Sequence, residues 1–337
     1  MATALPAGFD FDGRYALPGD LRVVQRDETT LQIGTERPRR MLLVNAPIHA
    51  TAVLTSLNGA VTAAEAVARV DGDPLIWRTL LGSMLAAGIL VPAPPDRPRP
   101  PHLAGERLSL IHRHGVLVAD RLLAARSDAL VVVDGDGPVA EATAALLAAS
   151  GVGHVHLHEP ASAPAGAGDR SRRDRQRVTW QAAPTVRVHR PAPQVAPTAV
   201  VLAGPGLPDL GRAAALVTAL VPHLAVRVTQ ARTIVGPLVL PGRSACLNCL
   251  ERHRVQADPG WPAVARALHA HPAEPAPLAA QVAAEMAAEQ VLALIDGLQQ
   301  PESVGATLER PVGATVPQRR RWRPHPDCGC RLLSGHW

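Results

Sequence analysis

Near the start of the chain, apolar and polar residues alternate with the period of β-strands. Residues 22–26 and 30–33 alternate in this way on either side of the turn residues 27–29, so they predict a β-hairpin. The apolar segment 41–44 predicts a third short strand.

Helical periodicity follows and predicts three helices. Their starts are marked by Pro47, Thr62 and Asp73. Glu65 lies three residues after Thr62, which is the spacing of a capping box. Asn58 and Gly59 are expected to end the first helix, and residues 89–91 predict a closing strand. This order over residues 14–91 is that of a winged-helix (α+β) module.

A proline-rich segment follows the module. Six of the eleven residues 92–102 are proline, which lacks the N–H that helices and sheets use. We therefore predict a stiff, extended spacer. The predicted domains are a winged-helix module at 1–91, a linker at 92–103 and a second domain at 104–337.

Beyond the spacer the pattern becomes strand, helix, strand. Residues 129–134 predict a buried strand, followed by an alanine-rich helix to residue 150 and a strand at 154–158. Such a βαβ unit begins a parallel sheet, so the predicted fold class is α/β. Further strands are predicted at 199–202, 224–228 and 234–240, a flexible loop at 160–176, and a long helix at 277–298.

The turn after the first buried strand matches a nucleotide-binding pattern. Gly135, Gly137 and Ala140 fit G-x-G-x-x-A, and Glu159 ends the next strand, where a ribose partner would lie. The glycines can equally serve a tight turn, and Pro138 removes one amide donor. The chain has no lysine to neutralise phosphate charge, so we interpret the turn as vestigial and expect no use of ATP.

The cysteines carry the sharpest signal. They form two close pairs, Cys246 with Cys249 and Cys328 with Cys330. Two such pairs supply the four thiolates that a tetrahedral zinc ion takes, although disulfides or unrelated buried thiols are the alternative. We predict a closed structural zinc site and no catalytic residue at it. His253 and His325 are expected to hydrogen-bond around the site or to face solvent.

Composition narrows the function classes further. The formal net charge is +5, all 34 basic residues are arginine, and aromatic residues make up 2%. Stacking platforms for bases are scarce, so we interpret the basic runs 170–177 and 319–323 as solvated surface and expect no nucleic acid partner. Apolar runs stay below the roughly 18–20 residues of a membrane span, and no signal peptide pattern opens the chain. We expect a cytoplasmic location and no membrane partner.

The segments around the cysteines resemble those of a known superfamily. They are residues 235–253 (VGPLVLPGRSACLNCLERH), 258–262 (DPGWP) and 323–330 (RPHPDCGC). Together with the glycine turn they resemble the ThiF-type, ubiquitin-activating-like superfamily. The closer resemblance is to the ThiF-like subunit of cyclodehydratases in thiazole/oxazole-modified peptide (TOMM) and bacteriocin pathways. It covers nearly the whole chain, because such proteins begin with a winged-helix module.

This resemblance implies a division of labour. The winged-helix module would bind the leader of a ribosomally made precursor peptide as an added strand. The ThiF-like Rossmann-type body would hold the structural zinc and dock a separate YcaO-type cyclodehydratase, which uses ATP to form azolines. Homodimers are common among such folds. The chain has neither a lysine nor a fifth cysteine for a thioester, which favours an accessory subunit that performs no catalysis by itself.

Strand 41–44 and the third helix are the predicted peptide-binding elements, because an exposed strand edge offers unpaired N–H and C=O groups. The candidate residues are Arg40, Met41, Leu42, Leu43, Val44, Leu80, Leu81 and Met84. The alternative is that about half of these residues form the core of the module.

Two other function classes stay open. One is an autonomous ATP-dependent ThiF-type enzyme that adenylates the C-terminus of a peptide or sulfur carrier. The other is a winged-helix transcription regulator, which would need a basic recognition helix. The predicted third helix carries one arginine, Arg78, so we expect poor binding to DNA.

Overall fold

The chain divides into two compact units, Met1–Arg121 and Leu122–Trp337. The computed structural model describes residues 9–18, 21–37, 39–93, 100–158, 177, 179, 181–183, 186–188, 195–204, 206–270 and 274–333. The predicted loop at 160–176 and Glu159 lie outside these residues. The domain boundaries predicted around 92–103 stay a prediction.

The first unit packs short strands and helices around one apolar core. Its elements are β1 (Arg14–Ala16), β2 (Val23–Gln25), β3 (Leu31–Ile33), β4 (Met41–Leu43), α1 (Ala50–Ser56), β5 (Asn58–Thr62), α2 (Ala63–Val67), α3 (Pro74–Ala86), β6 (Val91–Pro92), α4 (Ala104–His114) and α5 (Val116–Asp128), which spans the boundary between the units. The strands form two antiparallel sheets, in the orders β5-β1-β6 and β2-β3-β4.

Several local predictions are confirmed here. The hairpin is β2 and β3, and β4 pairs with β3. Thr62 and Glu65 form the capping box, and the Asp73 carboxylate accepts a hydrogen bond from the Leu75 N–H at the start of α3. These side chains satisfy N–H groups that the first helical turn leaves free, so they fix where α2 and α3 begin.

Other local predictions are wrong about where strands and helices begin and end. Residues 58–62 form a strand paired with β1, where only a helix end was expected. The closing strand is Val91–Pro92, and it pairs with Tyr15 and Ala16 of β1. The spacer was predicted to contain no helix or strand, yet Pro92 joins a sheet and Pro101–Leu103 forms a 3-10 turn. Proline fits both places because edge strands and first helical turns need fewer N–H donors.

The second unit is built on one eight-stranded sheet. Its further elements are β7 (Leu130–Asp134), α6 (Gly137–Ala149), β8 (His154–His158), β9 (Arg187–Val188), β10 (Ala199–Ala203), α7 (Leu210–Thr218), β11 (His223–Val228), β12 (Arg232–Val239), α8 (Leu247–Ala257), α9 (Trp261–Ala270), α10 (Pro277–Asp296), β13 (Ala306–Pro311) and β14 (Gln318–Arg321). The strand order is β14-β13-β12-β11-β10-β7-β8-β9. Strands β7 to β11 run parallel, and β12 to β14 are antiparallel additions, so the sheet is mixed and the unit is α/β.

The central strands are apolar on both faces because helices cover both faces. Val131 and Val133 of β7 pack with α6 and α10 on one face. Val132 belongs to a second apolar cluster with α7, α8 and three of the cysteines on the other face. The predicted strands at 129–134, 154–158, 199–202, 224–228 and 234–240 are thereby confirmed to within about two residues.

Helix α10 is the one helix in the described residues that is long and apolar enough to cross a membrane, with a hydropathy of 1.4 over its apolar window. Its alanines at 280, 283 and 287 are completely buried and pack against the sheet and α6. That packing is typical of the core helix of a globular unit. Gly297, in the left-handed region at φ +63°, ends it.

A nearly buried ion pair holds the end of α10. The Arg126 guanidinium donates to both Asp296 oxygens at 2.7 Å, and it also donates to the Ser150 carbonyl at 3.0 Å. The two side chains are 3% and 14% exposed. Because a desolvated cation needs its counter-charge, removing one partner of such a pair is far more disruptive than removing a surface charge.

We expect Asp296→Asn to lower the free energy of unfolding by about 3–5 kcal/mol, since the arginine stays buried after its carboxylate is gone. Asp128→Asn removes an exposed carboxylate and serves as the control, with an expected change within ~0.5 kcal/mol. Urea denaturation followed by circular dichroism measures both. Equal effects of the two variants would contradict the assigned role of the pair.

Candidate metal centre and peptide groove

The four cysteines converge on one point of the second unit. The Sγ atoms lie within 4.8 Å of one another. Cys246 is 3.7 Å from Cys249 and 3.6 Å from Cys328, and Cys249 is 3.4 Å from Cys330. A disulfide needs sulfurs about 2.05 Å apart, so all four are free and the disulfide alternative is wrong.

Two short backbone segments place these thiols. Cys246 is the residue before α8, and Cys249 lies in its first turn, where helix N–H groups favour a thiolate. Cys328 and Cys330 lie at the start of the 3-10 turn Gly329–Leu333. Three of the four are buried in the apolar cluster below α7 and α8, and Cys330 is half-buried.

The cluster fits a tetrahedral metal ion. With Zn–S bonds of about 2.3 Å, tetrahedral geometry puts the sulfurs about 3.8 Å apart, close to the spacing seen here. Four sulfur ligands suit zinc, and a set of four leaves no open position for substrate. The four cysteines can therefore bind a metal ion, and the donor set is that of a closed structural site.

Protonation of the thiols also favours a cation. A hydrogen bond from the Cys246 thiol lowers the pKa of Cys249 to about 4, and the same bond raises the pKa of Cys246. Burial raises the pKa of Cys330 to about 12. Without a metal ion, the cluster therefore keeps protons at neutral pH. A divalent cation displaces these protons and offsets the free-energy cost of burying several negatively charged thiolates together.

The two neighbouring histidines lie around this cluster. The His253 ring nitrogen Nε2 is 2.9 Å from the Arg323 carbonyl oxygen. His325 is buried, its Nδ1 accepts a hydrogen bond from the Asp327 N–H at 3.2 Å, and its ring contacts that of His253. Neither belongs to the group of converging ligand atoms, so the four cysteines form the set by themselves.

An apolar groove runs along the first unit between β4 and α3. Its volume is about 480 Å³. It is lined by Leu43, Val44, Pro47, Leu75, Ile76 and Leu80, among others. Val44, Leu75 and Ile76 are 69%, 65% and 54% exposed, although apolar residues of this size are usually buried.

The predicted peptide-binding residues are divided between this groove and the core. Leu43, Val44 and Leu80 line the groove, Met41 is half-buried, and Leu42 and Arg40 are exposed on and beside β4. Leu81 and Met84 are completely buried in the core, so they present no surface to a ligand in this structure.

Sequence reasoning missed the other half of the groove. Leu75, Ile76 and Thr79 line it from the first turns of α3. They follow the i, i+4 spacing that puts Ile76 beside Leu80 and Leu75 beside Thr79. The available signal was that α3 is apolar almost all round, which is typical of a helix with two covered faces.

The glycine turn lies where β7 ends and the sheet order reverses. A side chain on Gly135 would come within 2.1 Å of the Ala203 carbonyl oxygen, so close contact between the two strand ends itself requires glycine there. Gly137, at φ +78°, has open space around it. The Asp134 carboxylate at this edge is hydrogen-bonded to Arg212 of α7 at 2.8 Å. Glu159, the third predicted residue, lies outside the described residues.

No protein-family model matches the sequence, and no curated protein matches it. Solved structures share its fold. E. coli MccB with ATP is 13% identical, with a TM-score of 0.60 over 94% of this chain and 99% of that chain. The microcin C7 biosynthetic enzyme MccB in complex with N-formylated MccA gives 0.59 at 13% identity over the same shares. PaaA gives 0.60 at 13% identity over 90% and 99%. At this identity the likeness shows the fold alone, which is Rossmann-like.

We expect one zinc ion per chain, held by the four cysteines. Cys249→Ser and Cys328→Ser should each abolish stoichiometric zinc, because a three-sulfur set binds it far more weakly. His253→Ala is the control and should keep one equivalent. Elemental analysis of the purified proteins measures this.

Zinc affinity should also rise with pH, since the metal replaces thiol protons. Zinc that survives in the serine variants, or is lost in His253→Ala, would contradict the assigned ligand set.

Proposed function

We propose that this chain is the non-catalytic, precursor-binding subunit of a cytoplasmic peptide cyclodehydratase. In this proposal the first unit binds the leader of a ribosomally made precursor peptide. The second unit carries a structural zinc and presents the precursor to a YcaO-type enzyme for azoline formation in TOMM or bacteriocin biosynthesis. The apolar groove beside β4 is the observation that carries the proposal.

The edge of β4 supports binding by strand addition. Within the described residues β4 pairs with β3 on one side, and its other side has no strand partner. An extended peptide would satisfy the free N–H and C=O groups of that edge, and alternate side chains would enter the groove. The groove is apolar at Leu75, Ile76 and Leu80, so it favours a leader with aliphatic or aromatic residues two positions apart.

The arrangement of the first unit is compatible with a winged-helix recognition module. Helices α1 to α3 and two small sheets enclose one core. The sequence pattern of residues 14–91 predicts the three helices and the hairpin, but not the second sheet. We propose that α3, between the groove and the core, is the recognition helix, and that it reads a peptide. Its exposed positions carry Leu75 and Ile76 beside the single arginine Arg78, a surface that does not favour a DNA backbone.

Fold likeness supports a role in peptide modification. MccB has been solved with N-formylated MccA, and its fold extends over nearly the whole of both chains. We propose that this chain likewise acts on a peptide pathway, and that its own part is binding. Its glycine turn is accounted for by strand packing, Pro138 removes a donor, and Asp134 is already paired with Arg212.

An adenylating enzyme is the second candidate. The likeness to MccB with ATP favours it. Such chemistry needs cations that stabilise the charge developing on phosphate, and this chain would have to supply them from arginine alone.

We expect the leader of the precursor peptide to bind the full chain. Ile76→Glu should weaken that binding roughly tenfold or more, because it places a carboxylate in the apolar groove. Ile48→Glu is the matched control, since Ile48 is 93% exposed and does not line the groove. Isothermal titration measures both.

A leader with N-methylated amides along one edge should also bind more weakly, since those groups can no longer pair with β4. Equal affinities for both glutamate variants, or no effect of N-methylation, would contradict strand addition in this groove.

We also expect no pyrophosphate exchange from ATP by the isolated chain, with or without a peptide carboxylate. Azoline formation should appear when the YcaO-type enzyme is added, and it should depend on this chain. Pyrophosphate exchange that requires a C-terminal carboxylate would contradict the accessory role and would favour the adenylating enzyme.

A further inference from the structure

A small cavity lies in the second unit between the sheet and helices α7 to α9. Its volume is about 60 Å³. A single water needs ~10–15 Å³ measured in this way, so the cavity holds a few non-hydrogen atoms. Most of its wall is apolar and includes Leu207, Leu210, Ile234, Leu247, Leu250 and Ala265.

Arg227 of β11 lines this cavity. It shares a sheet face with Ala225, which packs below α7 and α8, and it is half-buried. Burial lowers the pKa of the guanidinium, and the nearby Arg254 lowers it further. In the part of the chain that the structure describes, no hydrogen bond or ion pair to this guanidinium is formed.

The two carboxylates that raise the pKa of Arg227 through their charge, Glu251 and Glu309, are already engaged. Both oxygens of Glu251 accept hydrogen bonds, one from Arg254 and one from the Trp261 indole. Both oxygens of Glu309 also accept, from Arg232 at 2.9 Å and from the Thr307 hydroxyl at 3.0 Å. The donors of Arg227 therefore stay available for a group that enters the cavity.

We propose that this cavity binds a small monocarboxylate with a short aliphatic chain, its carboxylate on the Arg227 guanidinium and its chain against the leucines. The planar guanidinium matches a carboxylate with two parallel hydrogen bonds. The second arginine in the wall, Arg254, is paired with Glu251, so Arg227 is the cation left to receive a ligand. A phosphate dianion would lose more hydration here than a monocarboxylate, and it would meet the Glu251 charge, so the wall favours the single charge. This site is independent of the leader groove and of the proposed function.

Such a carboxylate has two sources, a free short-chain acid or the C-terminus of a polypeptide that ends in a small aliphatic residue. Isovalerate represents the first source. A tetrapeptide ending in valine, with a free carboxylate or as its C-terminal amide, represents the second. The neutral isovaleramide has the same shape as isovalerate without the charge.

Isothermal titration of the full, zinc-loaded chain tests the proposal. Isovalerate or the peptide acid should bind, and the matching amide should bind roughly tenfold or more weakly, because the charged hydrogen bonds are lost. Arg227→Met should cause a loss of the same size. Arg266→Met removes the same charge from an exposed position of α9 and should leave binding unchanged.

Ala265→Met provides a second variant if Arg227→Met does not fold. It keeps the guanidinium and fills the cavity, so binding should be lost. Binding of the peptide acid alone assigns the site to a chain terminus, and binding of isovalerate alone assigns it to a free acid. Absence of binding by both acids, binding retained in Ala265→Met, or equal affinity for acid and amide overturns the proposal.

Discussion

The convergence of the four thiols is the constraint on which one whole face of the second unit depends. Cys246, Cys249 and Cys328 are part of the apolar cluster formed by the sheet, α7 and α8. They bring the segment that follows β14 against the start of α8. Among the described residues this segment forms no further strand. A metal at this point would link segments about eighty residues apart, and such a link restricts the unfolded chain more than the folded one.

The opposite face is held by different means. Helix α10 presents Ala280, Ala283 and Ala287, all without exposed surface, to α6 and the sheet. Small side chains let helix and sheet approach closely, which compensates for a chain in which aromatic residues are 2%. The Arg126–Asp296 pair then fixes the end of α10, because a desolvated pair tolerates little movement. One face therefore relies on close packing, and the other on converging thiols.

The sequence predicts those parts of the fold whose residues all have the same kind of surroundings. Strands β7 and β10 are buried on both faces and read as unbroken apolar runs, and the cysteine pairs identify their own cluster. Strand β14 is Gln-Arg-Arg-Arg, and all four residues are exposed. Such a run of charges reads as solvated surface, so the sequence does not reveal that it forms the edge of a sheet. In α3 the spacing of apolar residues does not distinguish the core face from the groove face, because the helix is apolar on both. The rotation that puts Leu81 in the core and Ile76 in the groove then depends on tertiary packing.

The exposed edges of the sheets differ in a way that bears on peptide binding. At β14, Arg319, Arg320 and Arg321 stand along the edge, and charged edges resist pairing with further strands. At β4 the edge residues are Met-Leu-Leu, and the groove floor beside them is aliphatic. An unprotected edge of this kind invites aggregation unless it has a partner. In the proposed binding mode the groove would limit that risk, since a strand would pair with β4 only where its side chains fit against α3. The two edges therefore differ in what they allow: the arginines of β14 oppose pairing with a further strand, and the β4 edge carries no such charge and would pair selectively if the proposed strand addition holds.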